Sequence, residues 1–189
     1  MNCQVHQVEV ELSSWDHLPD SVRIVLHSIL FLRSVGKVSH PKQAQCRPHT
    51  SLCYAKLSQF DPQVERAVDL LLRQPPADAS TLVLSFYEKK PKTAGLYSLL
   101  GAGEEMVYFE RFFVSFKLDP VLDLKREEVL LRKVVFRLAS VGNVKLLPYS
   151  FRGEHPLFEI TLQPQPQQQQ LPQSQFEDKP PAWFAGLFG

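Results

Sequence analysis

The chain has 189 residues, 44% of them hydrophobic and 22% charged, and 21 Lys and Arg against 20 Asp and Glu give a formal net charge of +1. That length supports one domain with a sizeable core and is short for two, and the near-neutral balance leaves no global field that would recruit nucleic acid or a membrane surface. The odd count of three cysteines (Cys3, Cys46, Cys53), behind an N-terminus with no continuous apolar leader, fits a reducing, cytoplasmic setting with free thiols. The most apolar run, IVLHSILFL at 24–32, is far shorter than the ~20 residues that span a bilayer.

In chain order, VHQVEVEL at 5–12 alternates and places Val8, Val10 and Leu12 on one face, which predicts a half-buried first strand. Asp20 and Ser21 are candidate caps for a helix whose apolar positions Val22, Val25, Leu26, Ile29 and Leu32 recur at three and four, with Gly36 as its stop. The proline-interrupted, polar stretch 38–51 predicts a loop, and SLCYAKL after it a strand. Asp61-Pro62 predicts a helix start, Asp as cap, with Val64, Ala67, Val68 and Leu71 as its stripe.

STLVLSFYEKK and EEMVYFERFFVSFKL carry the aromatic and β-branched residues of strands and predict an antiparallel pair. A third helix is expected from Asp119 or Asp123 to Gly142-Asn143. In it Val129 or Leu130, Val134, Leu138 and Val141 would face the core, and Glu128 and Arg132 would pair outside. PLFEITL predicts a last strand. Beyond Leu162 the run QPQPQQQQLPQSQ cannot bury enough apolar surface to offset its chain entropy and predicts disorder. The expected fold class is therefore α+β, three helices packed on a mainly antiparallel sheet.

Chemistry-bearing groups are sparse. His40, Cys46, His49 and Cys53 are the residue types zinc prefers, but they lack paired CxxC halves, so the competing reading is a polar loop with a small buried thiol. There is no GxSxG elbow and no phosphate-binding GxxxxGK[ST] loop. Glu104, Glu105 and Glu110 could form an acid and base pair, yet solvated carboxylates at a strand entrance are the simpler reading. His27, among apolar helix neighbours, reads as structural; Lys89, Lys90 and Lys92, and the basic residues of the third helix, read as solvated faces. The anomaly is the segment joining the two aromatic strands, where Leu96, Tyr97, Leu99 and Leu100 occupy a loop, and exposed apolar groups of this kind mark interaction sites.

The opening MNC, VLHSILFLRSVGK at 25–37, LSFYEKK at 84–90, YFERFFVSFKLDP at 108–120 and PLFEITL at 156–162 together resemble the autophagy-related protein 101 family. Members are HORMA-domain subunits of the complex that initiates autophagy. The Gln/Pro-rich tail at 163–189, with its aromatic end, departs from the family, while the resemblance implies a HORMA-like domain at 1–162 with a projecting β-hairpin loop. It implies a non-enzymatic scaffold without cofactor that pairs with and stabilises the HORMA domain of autophagy-related protein 13. Its third helix, 123–141, would contribute to that interface.

The family also carries a finger whose Trp and Phe recruit downstream autophagy factors. Leu96 and Tyr97 stand at that place here, with Leu99 and Leu100 beside them as candidate partner-binding residues, while Trp183-Phe184 is a dipeptide of the right kind in another place. The implied location is cytoplasmic, with recruitment to the phagophore assembly site and so to the vicinity of a membrane. A small metal-binding protein using His40, Cys46, His49 and Cys53, or a different HORMA adaptor, are the alternative functions.

Overall fold

Alternation makes the first strand. β1 (Gln4–Leu12) turns Val8, Val10 and Leu12 into the core and leaves Glu9 and Glu11 exposed, as its period of two dictates. It opens a computed structural model that describes residues 3–34, 41–47, 52–74, 79–91, 104–144 and 157–163.

α1 (Leu18–Arg33) buries Val22, Val25, Leu26 and Ile29 as expected, and also Ile24 and Leu30, because it is packed against by both other helices. Its start is earlier than predicted. A single 3-10 turn at Trp15–His17, closed by Asp16 N–H donating to Ser14 Oγ, leads into it, and Pro19 fits the first turn, so Asp20 and Ser21 are already helical and cap nothing. Gly36 lies outside the described residues; Ser34 follows the last turn and donates its N–H to Phe31 O.

The predicted loop at 38–51 contains a strand. β2 (Lys42–Gln45) pairs antiparallel with β3 (Cys53–Lys56) in a small sheet of its own that lies against α1. Lys-Gln-Ala-Gln has little strand propensity; the pairing is imposed by its neighbour, the context dependence typical of sheets. α2 (Asp61–Leu72) carries its stripe of Val64, Ala67, Val68 and Leu71 as predicted, but Phe60 is the capping position and Asp61 is free for another use, described below.

β4 (Ala79–Pro91) and β5 (Glu104–Leu118) form the expected antiparallel pair, with a bulge at Phe86/Tyr87 where Phe109 is the extra residue on β5. β6 (Leu157–Leu162) adds antiparallel to β4, and β1 adds parallel to β5, giving the order β1-β5-β4-β6. Two of the three pairings are antiparallel. This is the expected α+β class, and it is consistent with a HORMA-like domain. Leu82, Leu84 and Phe86 of β4 meet Phe112, Val114 and Phe116 of β5 on the core face, and Phe86 touches the rings of Phe109, Phe112 and Phe158. The joining segment 92–103 and the tail 164–189 lie outside the described residues.

α3 (Leu124–Val144) is capped as one of the two expectations had it, by Asp123, whose Oδ1 accepts from Arg126 N–H at 2.8 Å. It runs on through Gly142 and Asn143. Its seat keeps the predicted Leu138, buried, and Val134, packed against the core, but at its first turns Leu131 is the buried residue, with Leu130 only half-buried and Val129 51% exposed. The reason is polar. Glu127, itself fully buried on that seat, accepts from Ser13 N–H at 2.8 Å and from the Ser13 hydroxyl, and sits 3.0 Å from His17 Nδ1, so it fixes the rotation of the helix against the end of β1.

Candidate partner-binding surface

With Glu127 and Leu131 turned inward, α3 presents Val129 and Phe136, seven residues apart and so on one stripe, to the outside, and Phe136 is 66% exposed. Between α1, β3 and α3, Phe136 borders an apolar groove of about 620 Å³, lined also by Phe31, Leu32, Tyr54 and Val135, with Arg132 at its edge. A helix apolar on its core side and again on its outer side has a second surface to bury. Arg132 at the groove edge pairs with Glu128 at 3.0 Å, as expected, while Lys125, Arg126, Lys133 and Arg137 are exposed elsewhere on α3, Lys133 and Arg137 toward β1.

The groove wall is held from below by a buried histidine. His27 of α1 stacks on Tyr54 at 5.6 Å between ring centroids; its Nδ1 accepts from Leu57 N–H at 3.3 Å, and its Nε2 faces Asp61 Oδ1 at 3.1 Å. Asp61 also pairs with Lys56 Nζ at 2.8 Å, which is where the expected capping carboxylate has gone. Because Nδ1 accepts a hydrogen bond from Leu57 N–H, the ring is in its neutral Nε2–H form. Burial lowers the His27 pKa, Asp61 opposes and Lys56 adds to the lowering.

The sign of the pH effect follows. A histidine whose folded-state pKa is depressed takes up protons more readily unfolded, so its contribution is fully present above the ordinary value near 6.5 and is lost as pH falls below it. The urea midpoint of the wild-type chain should therefore fall between about pH 7.5 and about pH 5.5, and His27→Gln should flatten that slope. An unchanged slope in the variant would place the titration elsewhere.

A second buried ionic group lies under the opposite part of α1. Glu110, fully buried, accepts from Arg33 Nε at 2.6 Å and contacts His6 Nε2 at 2.9 Å, while His6 stacks on Phe112 at 4.6 Å. Glu110 was expected to be solvated with Glu104 and Glu105; those two are exposed, and Glu104 pairs with Lys89 at 3.0 Å, whereas Glu110 ties α1 to the sheet. The three carboxylates are thus not one acid and base pair.

The sequence-predicted binding residues Leu96, Tyr97, Leu99 and Leu100 lie outside the described residues, as do His40, His49 and Lys92. Of the four metal candidates the two described ones diverge: Cys46 is buried in the core, and Cys53, expected to point inward from its strand, is exposed at the groove. Among the described residues no group of three or more His, Cys, Asp or Glu is placed to hold a metal. No described helix is long and apolar enough to cross a membrane. The groove itself was missed in the sequence. Its signal was Phe136, a large apolar residue off the seat marked by Leu131 and Leu138.

Comparison with known proteins points one way. The family model described as Autophagy-related protein 101 matches residues 9–139, and a relative of the same name from Arabidopsis thaliana is 28% identical over 123 residues, 61% of this chain. The chain spans about half the length of that curated relative, 53%.

Proposed function

The chain belongs to the autophagy-related protein 101 family, and from that premise we propose that it is a non-enzymatic subunit of the autophagy-initiation complex which pairs, through α3 and the groove beside it, with the HORMA domain of autophagy-related protein 13. The autophagy role itself comes with the family. The observation that carries the pairing is the outward face of α3, with Val129 exposed on it and Phe136 exposed at an apolar groove. An exposed aromatic at the edge of an apolar groove has the make-up of an interface anchor. Co-elution of the two purified domains tests it, and two folded domains that elute separately at micromolar concentration would refute it.

In this reading residues 1–162 form the pairing domain and 163–189 an appended tail. Pairing places the protein in the cytoplasm and, with its complex, at the phagophore assembly site. Leu96, Tyr97, Leu99 and Leu100 recruit later factors from the segment joining β4 and β5, Leu and Tyr filling an apolar pocket in place of the finger's Trp and Phe. The double variant Leu96→Asp/Tyr97→Asp should keep both the thermal midpoint and the pairing while losing later factors in a pulldown. A fall of several degrees in its midpoint would make these residues part of the core.

A further inference from the structure

The face of the four-stranded sheet turned away from the helices carries a cation without a counter-ion. We propose that this face docks a protein segment presenting an Asp or Glu carboxylate beside an apolar side chain, and that Arg111 of β5 receives the carboxylate. The inference concerns the sheet side of the molecule, not the helix side, and does not rest on the pairing reading.

Alternation along β5 sets the two faces. Phe112, Val114 and Phe116 point into the core, so Arg111 and Phe113 point away from it. The buried apolar residues of all three helices join the core cluster on the other side. Arg111 lies in register between Val5 of β1 and Ser85 of β4, and Phe113 between Gln7 and Val83. Val5 is 52% exposed.

What singles out Arg111 is the lack of an acid. Among the described residues three arginines are withdrawn in part from solvent, Arg23, Arg33 and Arg111. Arg23 pairs with Glu65 and Asp20, and Arg33 with Glu110. Arg111 has no ion pair or hydrogen bond among the described residues, and its shielded Nε has no acceptor. A guanidinium that gives up water without gaining a partner leaves that cost unrecovered.

The side chain is nonetheless held in place. Its guanidinium carbon sits 4.5 Å from the centroid of the Tyr108 ring, and the Tyr108 hydroxyl donates to Glu159 Oε1 of β6 at 2.8 Å. The stack holds the donor fork and the bond to Glu159 holds the ring beneath it, so an incoming carboxylate meets a preorganised site. Ser85 stands in register between Arg111 and Glu159 and keeps the two apart.

The surrounding charges decide the kind of occupant. Glu9 and Glu11 share this face on β1 and Glu159 borders the site, against Lys117, which is paired with Glu9. Such a surface repels a polyanion, whether an anionic membrane or a nucleic-acid backbone, and admits a single carboxylate at its single unpaired cation. Val5, Val83 and Phe113 offer apolar contact to the residue beside that carboxylate.

The experiment follows the Arg111 Nε–H signal of the full-length chain by NMR as short capped peptides are added. Acetyl-Phe-Glu-Phe-amide should shift it with millimolar affinity, and acetyl-Phe-Gln-Phe-amide should bind at least about fivefold more weakly. The Arg111→Leu chain should melt at or above the wild-type midpoint, because no counter-ion is left behind, and should lose the difference between the two peptides at the Phe113 amide. Equal affinity for the two peptides, or no shift at about 10 mM peptide, would overturn the proposal. An equal shift with inorganic phosphate would overturn it as a general anion site, and a shift on concentrating the chain alone would do so by assigning the acceptor to a second copy. A fall of several degrees in the Arg111→Leu melt would make the residue structural and end the proposal. None of these measurements contains the partner HORMA domain, so docking and pairing fail separately.

Discussion

Replacing Glu110 by Gln should destabilise the domain by about 3–5 kcal/mol, the cost of leaving a buried charge without its counter-ion. Arg33 is 5% exposed and Glu110 wholly buried, so water cannot take over when the carboxylate goes. For a domain of this size each kcal/mol shifts the thermal midpoint by about 2–4 °C, which puts the expected fall at roughly 6–20 °C. Removing both charges with Glu110→Leu/Arg33→Met should recover most of the loss, since the pair itself is a weak net stabiliser and only its half-removal is expensive. Denaturant unfolding of the three chains gives the comparison. A Glu110→Gln chain within about 0.5 kcal/mol of wild type would show that Arg33 finds another partner or solvent.

The second large effect is on association. Phe136→Asp should weaken pairing with the partner HORMA domain by at least about thirtyfold, the loss expected on truncating and charging a central aromatic anchor worth 2 kcal/mol or more. Its own fold should be indifferent, because Phe136 is 66% exposed and gives up little buried surface. Calorimetric titration together with a thermal melt separates the two. Unchanged affinity would move the interface off this stripe, and a large drop in the melt would show that the ring is packed.

The legible part of the fold is the part governed by local period. β1, the stripe of α2, the antiparallel pairing of β4 with β5 and the last strand all follow from alternation or helical spacing and appear where expected. β2 was illegible because its four polar residues become a strand only when β3 is beside them. The parallel placement of β1 on β5 joins segments about a hundred residues apart, and nothing local encodes it.

Two polar residues could have been placed by period; Glu110 was read as solvated for its charge, and Glu127 was not considered. Glu110 is in phase with Phe112, Val114 and Phe116, and Glu127 lies one turn before Leu131; a carboxylate in a core phase calls for a buried cation or donor, which Arg33 and Ser13 supply. The rotation of α3 follows from Glu127, and with it the outward display of Phe136. The sequence thus named the helix of the candidate surface, through the family resemblance, and missed the face. The residues it named outright, Leu96, Tyr97, Leu99 and Leu100, lie outside the described part of the molecule.

The most direct measurement is isothermal titration of the full-length chain into the purified HORMA domain of autophagy-related protein 13, both shown folded by their melts. The pairing reading predicts a one-to-one complex with a dissociation constant at or below about 1 μM. Absence of heat and of co-elution at about 10 μM of each domain would contradict it.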